Sequence, residues 1–214
     1  MDLAARRDRM VKEQLEPRGL RDARVLDAFR AVERHLFLAP ALWPDAYEDR
    51  PVPIGLGQTL SQPYIVAYMA ELLELTGKER VLEVGGGSGY AAAILGRLAA
   101  EVLTIELEPR LCASARAALQ AAGAANVRLR EGDGLEGWPE RAPFDRIIAS
   151  AALADVPQPL LAQLAAGGWF LGPVGPGPAQ RMTKIRRTSE GFEAQPLAPV
   201  LFVPARRHPR SERP

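Results

Sequence analysis

At 214 residues with 47% hydrophobic content, the chain can bury one substantial core, so a single domain with an embellishment is expected rather than two small ones. A net charge of +1 gives no strong nucleic-acid footprint, the lone Cys112 excludes an internal disulfide framework, and His35 and His208 without a Cys/His cluster give no structural zinc site. No apolar run approaches the length of a membrane span and the first ten residues lack an apolar stretch, so the expectation is a cytoplasmic protein, monomeric, with no metal, membrane or nucleic acid as partner.

Two N-terminal helices are predicted over residues 3 to 16 and 22 to 34, where Met10, Val11 and Leu15, then Val25, Leu26, Phe29 and Val32, recur at three- and four-residue spacings. From His35 to Gln62 the prolines at 40, 44, 51 and 53 and the glycines at 55 and 57 break any long element, and an ordered loop of this length points to function. A helix follows from Pro63 to Leu75. Strands are then expected near 80–84, 102–105, 127–130, 145–149 and 168–172, with helices near 90–99, 110–122 and 156–165 between most of them. That alternation predicts a doubly wound, Rossmann-like α/β sheet. Beyond a Pro/Gly turn, Gln180 to Arg187 and Ala198 to Val203 read as a closing antiparallel pair. The organisation is therefore residues 1–79 as helices and proline-rich loop packed on the core, 80–204 as the core itself, and 205–214 as a polar, mobile tail within one structural domain.

The segment VLEVGGGSGY, Val81 to Tyr90, carries the most chemistry. An apolar strand ends in Glu83 and is followed by Gly85, Gly87 and Gly89, with Ser88 between the last two. Residues without a Cβ let the chain turn tightly and let a ligand lie against bare backbone. Counting from Gly85, the sixth position is Tyr90, where a dinucleotide fingerprint has its third glycine, so the spacing favours a nucleoside without phosphates. A second strand ends in Glu106, followed by Leu107, at a place where a carboxylate can accept both hydroxyls of a ribose. Equally, Glu106 suits the start of the next helix. A third ends in Asp133 and Gly134, which is also an ordinary turn dipeptide. Acid or glycine sites at the carboxyl ends of three successive strands follow the rule for ligand binding along that edge of a parallel sheet.

Together these residues resemble the cofactor loop of S-adenosylmethionine-dependent methyltransferases. The block AYEDRPVPIGLGQTLSQPYIVAYMAELLEL, Ala46 to Leu75, immediately ahead of that strand, resembles the protein-L-isoaspartate O-methyltransferase family, as do RMVKEQLEPRGLRDARVLDAFRAVERHLFL, APFDRIIASAA, GGWFLGPVG and LFVPA. The resemblance spans nearly the whole chain. It implies methyl transfer from S-adenosylmethionine to the free α-carboxyl of L-isoaspartyl residues in damaged proteins and peptides, leaving S-adenosylhomocysteine. It further implies that Gln58, Thr59 and Leu60 form a wall of the cofactor and peptide site, that Glu83, Gly85, Gly87, Ser88, Gly89, Glu106, Leu107, Asp133 and Gly134 bind the cofactor, and that Ser61 matches the active-site serine. A carboxylate nucleophile is ionised at neutral pH and needs no general base, in keeping with a chain of two histidines. On spacing alone Ser61 reads as a helix cap ahead of Pro63. Asp49 is expected to hold the loop by accepting backbone donors, Tyr47 to pack, and His35 to be a cap or a packed polar residue. Gly86 and Ser150 depart from the family pattern, where threonine or serine and threonine are usual; Gly86 is expected to add flexibility and Ser150 to keep a hydroxyl on the substrate wall. Two other readings stay open: a methyltransferase for a small molecule or RNA, and a non-catalytic module that keeps the cofactor pocket.

Overall fold

The computed structural model describes residues 2–207. A seven-stranded sheet in the order β5-β4-β3-β6-β7-β8-β9 forms its centre. Its strands are β3 (Arg80–Val84), β4 (Glu101–Glu106), β5 (Val127–Glu131), β6 (Phe144–Ala149), β7 (Leu164–Val174), β8 (Arg181–Arg187) and β9 (Phe192–Pro199). From β5 to β7 every pairing is parallel, while β7–β8 and β8–β9 are antiparallel. The chain leaves β3 toward β4 and later returns to its other side as β6. This reversal opens the crevice at the carboxyl end of β3 where such sheets bind ligands.

Alternation along the strands divides the core. Val81, Val102, Ile148 and Leu171 face a layer built from α1 (Leu3–Arg9), α2 (Ala23–Ala31), α3 (Pro63–Leu72), α4 (Tyr90–Gly96) and α5 (Pro109–Ala121). Leu82, Val84, Leu103, Ile105 and Phe170 face the opposite side, packed with α6 (Gln158–Ala162) and Leu135. Leu82 and Leu103 are wholly buried, so truncating either to alanine is expected to cost about 2–5 kcal/mol. The same alternation puts Glu83 and Thr104 on the first face, the side of α3 and α4.

The expected helix over 3–16 is α1 continued by a wider π turn, Met10–Leu15, which buries Met10, Val11 and Leu15. The proline-rich stretch contains two 3-10 turns, Arg34–Phe37 and Pro40–Asp45, and a short hairpin of β1 (Val52–Gly55) and β2 (Gln58–Leu60). The closing pair needs a correction. Thr188 donates its amide to the Gly191 carbonyl at 2.8 Å, so the turn is tight and the last strand starts at Phe192 rather than Ala198. Its residues are mostly exposed and include Pro196 and Pro199, which hid it in the sequence, whereas the apolar Leu201 to Val203 imitates a strand.

Residues 200–205 leave the sheet and run past the β6 end, where Ala152 donates to the Val203 carbonyl and Ala205 to the Ala152 carbonyl, both at 2.8 Å. Ala205 and Arg206, assigned from the sequence to a mobile tail, are thus anchored, Arg207 is exposed, and the remainder of that expected tail, 208–214, lies outside the described residues. No described helix is long and apolar enough to cross a membrane, and among the described residues no cluster of His, Cys, Asp or Glu is arranged to hold a metal.

Candidate active site

Two adjoining cavities lie at the carboxyl end of β3 and share Gly85. The first is lined by Thr59, Leu60, Ser61, Glu83, Gly85, Gly86, Gly87 and Ser88, with Val66, Met69, Ala70, Ile94 and Phe202 as its apolar wall. The second is lined by Gln58, Glu106, Leu107, Glu108, Gly134, Ala151, Pro204, Ala205 and Arg206. The structure therefore gathers eleven of the thirteen sequence-expected residues around one crevice: seven on the first cavity, five on the second, Gly85 on both.

Gly89 and Asp133 line neither cavity. Gly89 caps α4 with φ +88°, and a Cβ there would press on Leu119 and Ala115, so it lets the loop turn into the helix against α5. Asp133 accepts the Leu135 amide at 2.9 Å, as an Asp-Gly turn does, and Gly134 beside it is required because a Cβ would sit 2.7 Å from Val84.

Glu83 is wholly buried and receives one hydroxyl on each carboxylate oxygen, Thr104 Oγ1 at 2.7 Å and Ser150 Oγ at 2.8 Å. Ser150, expected on the substrate wall, lines the first cavity and donates its hydroxyl to this acid. Burial pushes the Glu83 carboxyl up to about 7, against the opposite pull of the two hydroxyls, and the nearby Glu106 raises it further. Glu106 accepts the Gly87 amide on one oxygen at 2.7 Å and the Glu108 amide on the other at 2.9 Å, so it fixes the glycine loop and the start of α5 together. Each of these oxygens keeps a lone pair for a ligand donor. Two acids at the glycine loop, with Arg206 as the sole cation among the described residues on either cavity wall, suit a ligand carrying hydroxyls and a positive charge and oppose a pyrophosphate.

Ser61 stands on the wall shared by the first cavity and an open groove lined by Pro51, Gln62, Ile65 and Leu201 to Pro204, with a volume of about 640 Å³. The helix-cap alternative is not what forms. Gln62 is the N-cap of α3, no side chain caps that helix, and the Gln62 side-chain Nε2 donates to the Asp49 carbonyl at 3.0 Å. The Ser61 hydroxyl makes no hydrogen bond among the described residues. Asp49 ties the loop through an ion pair with Arg18 at 2.8 Å, not through backbone donors, and His35 and Tyr47 are buried and joined by a 2.8 Å hydrogen bond.

At Gly86, expected to add flexibility, the structure shows a steric role: a Cβ there would collide with the Thr104 hydroxyl. Thr104, Glu108, Phe202, Arg206 and the buried Arg34 were not singled out from the sequence. The strand position of Thr104 opposite Glu83 was available as a register argument; the others carried no signal.

Residues 5–209 match the family Protein-L-isoaspartate(D-aspartate) O-methyltransferase (PCMT). Protein-L-isoaspartate O-methyltransferase 2 of Anaeromyxobacter sp. (strain Fw109-5) is 54% identical over 203 residues, covering 94% of this chain and 83% of that protein. The protein-L-isoaspartate O-methyltransferase of Gloeobacter violaceus (strain ATCC 29082 / PCC 7421) is 49% identical over 204 residues, covering 95% of this chain and all of that one. Among solved structures, a protein-L-isoaspartate O-methyltransferase superposes with a TM-score of 0.83 at 27% identity, over 93% of this chain and 65% of that longer chain. A putative Plasmodium falciparum counterpart, in complex with S-adenosyl-L-homocysteine, shares the fold at TM-score 0.81 and 20% identity, over 96% of this chain and 99% of that one. The chain belongs to the protein-L-isoaspartate (D-aspartate) O-methyltransferase family.

Proposed function

We propose that this chain esterifies the free α-carboxyl of L-isoaspartyl residues in damaged proteins and peptides, with S-adenosylmethionine as methyl donor. The observation that carries the reading is the position of Ser61, whose hydroxyl is unengaged on the wall between an acid-lined cavity and an open groove. Bound there, S-adenosylmethionine would supply a methyl group on a sulfonium: an ionised carboxylate oxygen would bond to the methyl carbon in line as the carbon–sulfur bond breaks, with the neutral thioether as leaving group, so the residues must align the two and no proton transfer is required.

The residues of the site divide that work. Glu106, holding the Gly87 amide, would accept the ribose hydroxyls of the bound cofactor, and Glu83, on the wall of the first cavity, would serve its cationic amino acid end. Gly85 and Gly87 let the ligand approach the backbone. Ser61 donates its hydroxyl to the substrate carboxylate and orients one oxygen toward the methyl carbon; Phe202, Val66 and Met69 exclude water from that approach. The groove presents few charges, in keeping with substrates that share a damaged linkage rather than a sequence. In this reading the enzyme acts as a cytoplasmic monomer.

The test is methyl transfer from labelled S-adenosylmethionine to two peptides that differ only in an L-isoaspartyl or an L-aspartyl linkage. Labelling of the isoaspartyl peptide alone is expected. Binding of the cofactor by calorimetry with neither peptide labelled would reject the activity and keep the fold.

A further inference from the structure

Arg34 is wholly buried, yet among the described residues no carboxylate makes a hydrogen bond or ion pair with it. Its Nε donates to the Ala46 carbonyl and its Nη2 to the Ser61 carbonyl, both at 2.7 Å. Asp49, the nearby acid, is turned to Arg18. Burial lowers the guanidinium to about 10, which still leaves it charged at neutral pH. A buried cation held by two carbonyls and the face of the Tyr90 ring is a poor way to fill space, because methionine or leucine would pack there without a desolvation penalty. What the guanidinium offers is a rigid fork with donors aimed in two fixed directions.

Those two directions have consequences for the site. Ala46 and Ser61 bracket the proline-rich block and the β1–β2 hairpin, so the fork closes both ends of the segment that carries Gln58, Thr59 and Leu60. The Ser61 carbonyl precedes the N-cap of α3, and the first helical bond of that end goes to Gln62, so it lies outside the helix ladder. The guanidinium carbon also lies 4.9 Å from the ring centroid of Tyr90, the first residue of α4 directly after the glycine loop. One side chain therefore touches the backbone of the candidate substrate-binding serine and the residue that follows the cofactor loop.

We propose that Arg34 is the positioning residue for Ser61: its guanidinium fixes the Ser61 backbone relative to the glycine loop so that the serine hydroxyl reaches the substrate carboxylate in the reactive geometry. The inference rests on the reading that Ser61 holds that carboxylate. Arg34 itself touches neither cavity nor groove.

The test is a double-mutant cycle on the full chain with Arg34→Lys and Ser61→Ala, reading kcat and KM for an isoaspartyl peptide, Kd for S-adenosylhomocysteine, and melting temperature. Lysine keeps the charge and loses the fork. Arg34→Lys is expected to lower kcat on the order of 10- to 100-fold, with cofactor Kd within about twofold, because displacement of an aligning group by a fraction of an ångström to an ångström acts on turnover. In the Ser61→Ala background the same substitution is expected to lower kcat no further. Multiplicative losses in the double variant, or a cofactor Kd that rises in step with the fall in kcat, would overturn the proposal. Unchanged turnover in Ser61→Ala alone removes the serine reading and the positioning role with it, and the single variant identifies that failure separately. Should Arg34→Lys not fold, Arg34→Gln keeps a planar donor for one carbonyl and repeats the cycle; loss of the folded state in both variants makes Arg34 a requirement of the fold and overturns the positioning role.

Discussion

Thr104 donates its hydroxyl to Glu83 at 2.7 Å, and the two residues are register partners across the parallel β3–β4 pair. The same hydroxyl occupies the space into which a Cβ on Gly86 would project. One threonine on the neighbouring strand thus both satisfies the buried acid of the cavity and dictates that the middle residue of the glycine loop carry no side chain. Strand register, an ordinary property of the sheet, is here part of the site.

Substituting Gly86 with serine should therefore be harmful in this chain. The added Cβ forces either the Thr104 side chain or the loop to shift, an overpacking cost of about 1–3 kcal/mol. Thr104→Ala removes the colliding oxygen. We expect Gly86→Ser to lower the melting temperature and weaken S-adenosylhomocysteine binding, and the Gly86→Ser/Thr104→Ala pair to recover most of both, since the new serine hydroxyl stands where it can serve Glu83. Scanning calorimetry and titration calorimetry on the three variants check this; a double variant worse than either single one would contradict it.

Glu83 gives a pH signature. Its carboxyl lies at about 7 in the folded protein against an ordinary 4.5, because burial favours the neutral form. Between those values the unfolded chain has released a proton that the folded chain keeps. The contribution is therefore fully present below about 4.5 and is lost as pH rises through about 7, to an extent on the order of 3 kcal/mol. Glu83→Gln removes the titration. The stability of the variant relative to the parent protein, measured without ligand by denaturant unfolding, should rise from pH 5 to pH 8. A flat difference across that window would mean that Glu83 is already ionised in the folded state at pH 5.

Ser61 and Glu106 should separate in kinetics. Removing the Ser61 hydroxyl leaves the cofactor wall intact, so Ser61→Ala should lower kcat while cofactor Kd stays within about twofold. Glu106→Ala withdraws an acceptor from the Gly87 and Glu108 amides as well as from the ligand. A charged hydrogen bond is worth about 1.5–3 kcal/mol, so cofactor affinity should fall by about 10- to 100-fold. Equal losses of cofactor affinity in both variants would refute the division of roles.

The parts of the fold that were legible in the sequence are those written in local pattern. Strand β3 and its glycines, the acids at the ends of β3 and β4, and the alternation up to β7 were all visible because period and turn chemistry are local. The site was legible where a residue lies on its own strand end: Glu83, Glu106 and Gly134 are in the walls. Asp133 lines neither cavity, and one of its carboxylate oxygens accepts the Leu135 amide, as an Asp-Gly pair does in a turn. Arg34 and Arg206 were invisible because what matters about each is a partner 27 or 150 residues away in the chain, and nothing in the neighbourhood of an arginine reports whether it will be buried or anchored. The last strand was misplaced because its solvated, proline-containing sequence carries less pattern than the apolar segment that follows it.

Arg206 supplies the last expectation. Its guanidinium pairs with Glu108 at 2.8 Å and donates to the Leu56 carbonyl at 2.6 Å, joining the C-terminal segment to the β4–α5 loop and to the tip of the β1–β2 hairpin. All three elements border the second cavity or its rim, and Leu56 is held at φ +54° between two glycines that are also left-handed, a conformation an isolated leucine avoids. Part of what maintains that tip is the bond from Arg206. Both partners are partly solvated, so the pair contributes only about 1 kcal/mol, and Arg206→Ala should raise cofactor Kd by about fivefold. The change should appear in the dissociation rate, because the side chain roofs the cavity and has no place in aligning the substrate, and kcat at saturating cofactor should be unaltered. Raising the ionic strength should weaken binding by the parent protein toward the level of the variant and leave the variant itself almost unchanged. Stopped-flow measurement of S-adenosylhomocysteine release at low and high salt decides the matter: equal release rates for the two proteins at low salt would remove Arg206 from the closure of the site.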